Sequence, residues 1–251
     1  LLEMKRLVYD NDLPAKDLQG PEHQRWLPER ESGWTAEERS FRHGGAADAM
    51  TWLRYRHVLR DSEGKAQLIT DFLGYNTGGP RHGGGQPTGQ NWASDLILEC
   101  DVAAEKAEGK VALELSRGTS RYQAVFEPAT GECVLYRVRD GKSEELDRKP
   151  TRFKGTGTHR LRFANVDDRL VVWVDGTLPF GDGVEYKEAV RLESVEDNDI
   201  KRPASVGAQG GRFSVKRLKL HRDTVYTTAA GPVSTYFVQP GHYLCLGDNS
   251  T

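Results

Sequence analysis

An all-β fold, an antiparallel two-sheet jelly-roll sandwich with an irregular N-terminal arm, is the class this sequence predicts, on three observations. Short segments of alternating apolar and polar residues recur between turn residues at intervals of about 8–12 positions. Almost no stretch carries the 3.6-residue period of a helix. The run Thr158 to Gly176, T-H-R-L-R-F-A-N-V-D-D-R-L-V-V-W-V-D-G, reads as a hairpin around which the rest is organised. Leu161 and Phe163 fall on one side of its first strand, and Arg160 and Arg162 on the other. Asn165-Val166-Asp167-Asp168 is a turn, because Asn and Asp tolerate left-handed backbone. Leu170 to Val174 is apolar on both faces, as expected of a strand covered on both sides, and Asp175-Gly176 is a strong turn signal. An isolated hairpin is marginal in water, so further strands must complete its sheet and cover it.

Residues 1–45 form the predicted arm. Pro14, Pro21 and Pro28 break regular elements there. Met4 to Tyr9 reads equally as a short strand or a helical turn. Trp26, Leu27 and Trp34 are apolar anchors pinning the arm to a domain surface. Thr35-Ala36-Glu37-Glu38 has the order of a capping box and predicts a short helix start.

The sandwich itself is placed at residues 46–225. Trp52–Leu59 and Leu68–Leu73 read as strands about the turn Asp61–Gly64. Gly74 to Asn91 holds seven glycines and two prolines in eighteen residues. Neither a G-x-x-x-x-G-K-[ST] loop nor a G-x-G-x-x-G turn can be written in it, so it is expected to be a mobile surface loop, most so from Gly78 to Gly89. Strands follow at Asp95–Ala103, Val111–Ser116, Arg121–Phe126 and Glu132–Val138, with another hairpin turn at Asp140-Gly141. Pro179 to Asn198 is a polar excursion. Ala204–Ala208 and Arg212–Leu220 are the last strands, and the change of parity between Val215 and Leu218 predicts a bulge.

The run from Asp95 to Asp223 resembles the concanavalin-like or laminin-G-like sandwich class. The likeness is one of pattern, and that class hosts lectins, glycosidases and structural inserts, so the fold does not choose a function. A binding module would use exposed aromatic rings, for which Trp92, Tyr136 and Tyr186 are candidates. A glycosidase needs two carboxylates about 5–9.5 Å apart, and Glu99, Asp101 and Glu114 alternate in strand patterns. Asp167, Asp168 and Asp175, or Glu196, Asp197 and Asp199, are clusters of hard oxygen ligands. Solvated strand faces and turns account for all of these, no H-x-x-x-H pair exists for zinc, and no convergent set of polar residues is visible, so neither cofactor, metal nor tight sugar ligand is expected.

Composition excludes other classes. With a net charge of −2 over 251 residues and an isoelectric point near 6.4, the chain has no general affinity for nucleic acid phosphates. No apolar run approaches the roughly 20 residues of a membrane span, and no secretory leader pattern opens the chain. Cys100, Cys133 and Cys245 are too few for a disulfide scaffold; an oxidising compartment would allow one pair to be bridged, but all three lie in apolar strand patterns, which reads as buried thiols.

The last stretch, 226–251, is set apart by its ending, Y-F-V-Q-P-G-H-Y-L-C-L-G-D-N-S-T. It resembles the last sequence box of type I signal peptidases, a strand-turn of the form V-x-P-G-H-Y, three apolar residues, then G-D-N-S/R. The resemblance implies that Gly247, Asp248, Asn249 and Ser250 support a serine–lysine dyad. The serine box S-M-x-P is absent, because Met4 and Met50 follow Glu3 and Ala49. Lys5-Arg6-Leu7-Val8 starts like the lysine box K-R-x-x-G-x-P-G and then departs from it. The start at Leu1-Leu2 suggests a segment of something longer. The resemblance thus implies the extracytoplasmic part of a bacterial inner-membrane leader peptidase, with the sandwich as a large insertion, leader peptides as substrates and the membrane reached through an upstream segment. Residues 1–251 alone are expected to be inactive. A non-catalytic carbohydrate- or protein-binding module is the other expectation.

Overall fold

A computed structural model describes residues 5–16, 18, 20–29, 33–45, 48–71, 91–187, 195–223 and 241. The strands are β1 (Arg6–Asp10), β2 (Trp26–Pro28), β3 (Trp34–Glu37), β4 (Ser40–Gly44), β5 (Thr51–Tyr55), β6 (Leu96–Ala104), β7 (Lys110–Arg117) and β8 (Ser120–Glu127). They continue with β9 (Glu132–Arg139), β10 (Lys142–Pro150), β11 (Gly157–Val166), β12 (Arg169–Val174), β13 (Val184–Glu185), β14 (Ala204–Gln209) and β15 (Arg212–Arg222). Among the described residues one short α-helix, α1 (Asp197–Lys201), precedes β14.

The strands build two antiparallel sheets. The first has the order β13-β12-β11-β6-β15-β4-β3, with β1 also paired to β15; the second runs β10-β9-β8-β7-β14-β5-β2. Alternate residues of every strand point between the sheets, because side chains in a strand have a period of two. The predicted core residues Leu161, Phe163, Leu170, Val172 and Val174 are all fully buried there. Leu98, Cys100 and Val102 of β6 and Leu113, Leu115, Tyr122 and Phe126 of the opposite sheet close the same core. The Asp167-Asp168 turn takes left-handed backbone at both residues, φ 52° and 56°, and sets the β11–β12 register, pairing Phe163 with Val172.

Residues 6–44, expected to be irregular, instead supply four strands to both sheets. Trp26 and Trp34 are core residues at 1% and 5% exposure. Thr35 does not cap a helix: it lies in β3, opposite Arg42 of β4, and the hairpin turns through Glu38 at φ 48°. Pairing β4 to β15 gives that segment backbone partners, and tertiary pairing overrides a weak local helix preference. Strand β10 carries no apolar alternation in the sequence, because as a sheet edge it is charged along most of its length, which blunts edge-to-edge pairing.

The segment expected as a strand from Trp52 to Leu59 ends at Tyr55, with an isolated bridge between Val58 and Ala66 beyond it. Of the expected Leu68–Leu73 strand, the described residues 68–71 carry an isolated bridge from Thr70 to Trp92. The predicted bulge is present: the β15–β6 register slips between Lys216 and Lys219. Cys100 and Cys133 are free and buried, and burial pushes both thiols well above their ordinary pKa. Cys245, the Gly78–Gly89 loop and Gly247–Ser250 lie outside the described residues. Among the described residues, no helix is long and apolar enough to cross a membrane.

Candidate functional site

The site is built on the face of the first sheet that points away from the core. On β6 the outward residues are Ile97, Glu99 and Asp101; on β11 they are Arg160, Arg162 and Ala164; on β12, Val171 and Trp173. Register then determines the neighbours. Arg162 stands between Glu99 on one side and Trp173 on the other, and Arg160 is opposite Asp101. Opposite charges facing each other across strands attract, so each row is self-consistent.

These rows end in an open cleft of about 490 Å³, lined on β11, β12 and β15 by Arg160, Arg162, Trp173 and Arg217 and floored by Asp101. Arg162 places its Nε and Nη2 on Glu99 Oε2, at 3.0 and 2.8 Å, with its guanidinium carbon 5.4 Å from the Trp173 ring centre. The ion pair fixes the arginine beside a partly exposed indole. Asp101 is buried and accepts from Arg160 Nε at 3.4 Å and from Arg217 Nη2. Arg217 comes from the bulge in β15, where its backbone turns left-handed at φ 52°. A non-glycine residue there is strained, and bulges recur where a strand must re-aim a side chain. Here the bulge aims Arg217 into the cleft.

The far wall is the turn after β12. Asp175, at φ 51°, accepts the Arg160 backbone N–H at 2.8 Å and the His159 Nδ1–H at 2.7 Å. Burial pushes the Asp175 carboxyl upward, but the bonds from His159 and Arg160 outweigh it and hold the group below its usual range. His159 is steadied in turn by the Phe153 ring, 4.8 Å between centres. The opposite end of the face is apolar, with Ile97, Ala164, Val166 and Val171 buried.

The residues singled out from sequence scatter over the molecule. Glu99 and Asp101 do share this face, but Glu114 belongs to the other sheet and faces away from the core there. Glu114 is 1% exposed and is consumed by Arg54 Nη1 at 2.7 Å and Gln123 Nε2 at 2.6 Å. Arg54 also binds Glu29 at 2.8 Å and lies 4.5 Å from the Trp52 ring centre. The three carboxylates are therefore no catalytic set, since alternation along separate strands gives no information on which sheet each joins. Tyr186 is no platform either: it is buried against Tyr122, receives a bond from Arg117 and donates to Asn165 Oδ1 at 2.6 Å. Tyr136 lies on the outer face of the second sheet, in register with Gln123. Trp92 is partly buried at its bridge to Thr70.

The acidic clusters are dispersed as well. Asp168 pairs with Arg117 at 2.8 Å, and Asp197 with Lys201 at 2.6 Å. Asp199 is buried and accepts the backbone N–H groups of Gly118 and Glu196. Among the described residues, no group of three or more His, Cys, Asp or Glu is placed to hold a metal ion. Lys5 pairs with Glu99 at 3.4 Å on the outer face of the first sheet.

Sequence reasoning did not gather Arg160, Arg162, Trp173 and Arg217 into one site. A signal was present: folding the chain about Asp167-Asp168 puts Arg162 opposite Trp173. Nothing local announces Arg217, which arrives through the bulge.

No family model matches the chain, and no curated protein matches it. Among solved structures, the chain is similar to the carbohydrate-binding module CBM66 from Bacillus subtilis, at 12% identity and a TM-score of 0.49, covering 78% of this chain and 94% of that one. It is also similar to the galectin LEC-6 of Caenorhabditis elegans, at 13% identity and a TM-score of 0.37, over 51% of this chain and 83% of that one. A third similarity, to a Trypanosoma rangeli sialidase, has 12% identity and a TM-score of 0.41 and covers 75% of this chain but 26% of that one.

Proposed function

We propose that this chain is a non-catalytic binding module and that its ligand is a carbohydrate seated in the cleft beside Trp173. The observation that carries this reading is the pairing of a partly exposed indole with fixed polar groups in one open concavity. A sugar ring has apolar C–H faces and a polar rim, so it suits a flat aromatic surface flanked by donors and acceptors. The sheet supplies rigidity, because Arg162 and Asp101 are already held by their ion pairs before any ligand arrives. Such preorganisation lowers the entropic cost of binding.

The same geometry argues against glycoside hydrolysis. That reaction needs one carboxyl group kept protonated as the acid. Asp175 is instead held below its usual range, and Asp101 is tied to two guanidinium groups. A glycan array followed by calorimetric titration tests the reading. Wild type should bind at least one oligosaccharide, Trp173→Ala should bind at least about tenfold more weakly, and its circular dichroism should be unchanged. Binding that is indifferent to Trp173 contradicts it.

A second reading rests on the terminal run V-Q-P-G-H-Y-L-C-L-G-D-N-S. By it, the module is carried on the extracytoplasmic side of a type I signal peptidase, with Asp248 and its neighbours supporting a dyad supplied from elsewhere in a longer protein. Of this run the described residues include Gly241, in a turn at φ 81°. The gene sequence upstream of Leu1 tests it: a membrane-spanning segment followed by S-M-x-P and K-R-x-x-G-x-P-G supports it, and a continuous upstream sequence lacking both boxes overturns it.

A further inference from the structure

We infer that the cleft selects an anionic sugar, one whose ring carries a carboxylate or a sulfate ester, and that Arg160 and Arg217 clamp that group above Asp101. The inference rests on the carbohydrate reading and narrows it to a ligand class.

Asp101 sits on the cleft floor between two arginines that approach from different strands. Arg160 reaches Oδ1 through Nε, and Arg217 reaches Oδ2 through Nη2. A guanidinium has five N–H donors in a fixed planar fork. Each arginine therefore spends one nitrogen on Asp101, and its other N–H groups have no hydrogen-bond partner among the described residues. Both side chains are half exposed, at 51% and 52%. Arg162 differs from them: it is 17% exposed and already holds Glu99 through two nitrogens. Arg162 is thus part of the wall, while Arg160 and Arg217 are poised toward solvent.

Two forks anchored on one carboxylate both line the same cleft and both keep spare donors. That arrangement matches an oxyanion, which accepts paired N–H bonds in the plane of a guanidinium. With Arg162 set against Glu99, the lining holds two arginines and two aspartates, so the clamp acts through its oriented donors and not through an excess of positive charge. Glu99 lies behind this lining, neutralised by Arg162 and Lys5, and Asp12 is a more distant acid facing Arg217. Asp175, at the opposite wall, keeps 35% of its side chain exposed and can accept a ring hydroxyl. Trp173 then lies under the ring itself. The bulge strengthens the case, since a left-handed arginine is strained and persists only where the surroundings impose it.

The test is calorimetric titration of the folded chain with tetragalacturonate, with its fully methyl-esterified form, with a sulfated galactan tetrasaccharide, and with a hexapeptide bearing a free C-terminal carboxylate. At least one acidic sugar should bind tenfold or more tightly than the ester. The carboxylate and sulfate arms identify which anion is preferred. Arg160→Ala and Arg217→Ala should each lose at least tenfold toward the acid and little toward the ester, Arg217→Lys should recover part, and added sodium chloride should weaken the acid alone. Equal binding of acid and ester, both lost in Trp173→Ala, overturns the anion selectivity and leaves the carbohydrate reading standing. No binding by any of these three sugars overturns the anion selectivity, and a silent glycan array as well overturns the carbohydrate reading. Preference for the peptide overturns both in favour of a protein partner. Should an arginine-to-alanine variant fail to melt cooperatively, the ester comparison and salt dependence on wild type decide the matter alone.

Discussion

Arg217 and Asp101 join two strands at the one place where their ladder is out of register. The β15–β6 pairing slips between Lys216 and Lys219, and the Arg217 guanidinium crosses the gap to the buried Asp101 carboxylate, which Arg160 also holds from β11. Removing the carboxylate leaves two guanidinium groups facing each other with nothing between them. Asp101→Ala should therefore lower the thermal midpoint, and Asp101→Asn should lower it less. The reading needs both effects to shrink in high salt, which screens the repulsion between the two arginines. A loss independent of salt would assign Asp101 to packing alone.

Glu114 is the more severe case on the opposite sheet. Its side chain is 1% exposed and bound by Arg54 and Gln123, with Arg54 itself 12% exposed. Breaking a buried pair strands the remaining charge and costs about 3–5 kcal/mol. Glu114→Ala should destabilise by that order in a urea melt, with Glu114→Gln intermediate. A loss under about 1 kcal/mol would mean that Arg54 finds solvent readily, or that Glu29 alone satisfies it.

Much of the fold was legible in the sequence because burial writes a period of two into each strand. Alternation places Leu161 and Phe163 in the core, a run apolar on both faces places Leu170, Val172 and Val174 there, and a break in alternation marks the bulge. Strands that are short or little buried escaped. β10 is exposed along most of its length, and β3 and β4 are short pieces, β4 paired to β15 and β3 to β4. The site was harder to read for a different reason. Which outward residues meet depends on strand order across a sheet, and the neighbours β6, β11 and β15 are far apart in sequence. Glu99 and Asp101 were noticed as carboxylates, but their arginine partners became visible only through register.

Val172 tests the core. It is fully buried in the central cluster and pairs with Phe163. Val172→Ala should cost about 1–3 kcal/mol through lost transfer energy and the cavity left behind. A chemical melt showing a shifted midpoint at constant m-value would match. A loss below about 0.5 kcal/mol would place that strand nearer the surface.

Asp199 gives the sandwich a pH dependence. Burial raises its carboxyl pKa, the backbone bonds from Glu196 and Gly118 pull it back, and burial wins, leaving it at about 6 against 3.8 for the free side chain. A raised folded pKa means that the native state binds the proton more tightly than the unfolded chain. Its stabilising contribution is complete below 3.8 and is lost as pH rises through about 6. Replacing the group by Asn removes this proton uptake, so the Asp199→Asn midpoint should fall less than wild type between pH 4 and 6. Parallel curves for the two proteins would show that burial does not set this carboxyl's affinity for protons.

The measurement that bears most directly on the binding reading is an NMR titration of the ¹⁵N-labelled chain with the tightest oligosaccharide from the array. The account predicts saturable shifts of the Trp173 indole N–H and of the backbone amides of Thr158 to Arg162, with the Trp52 indole and the amides of Glu114 and Gln123 unmoved. Shifts confined to the Trp52–Glu114 face, or none at saturating glycan, would contradict it.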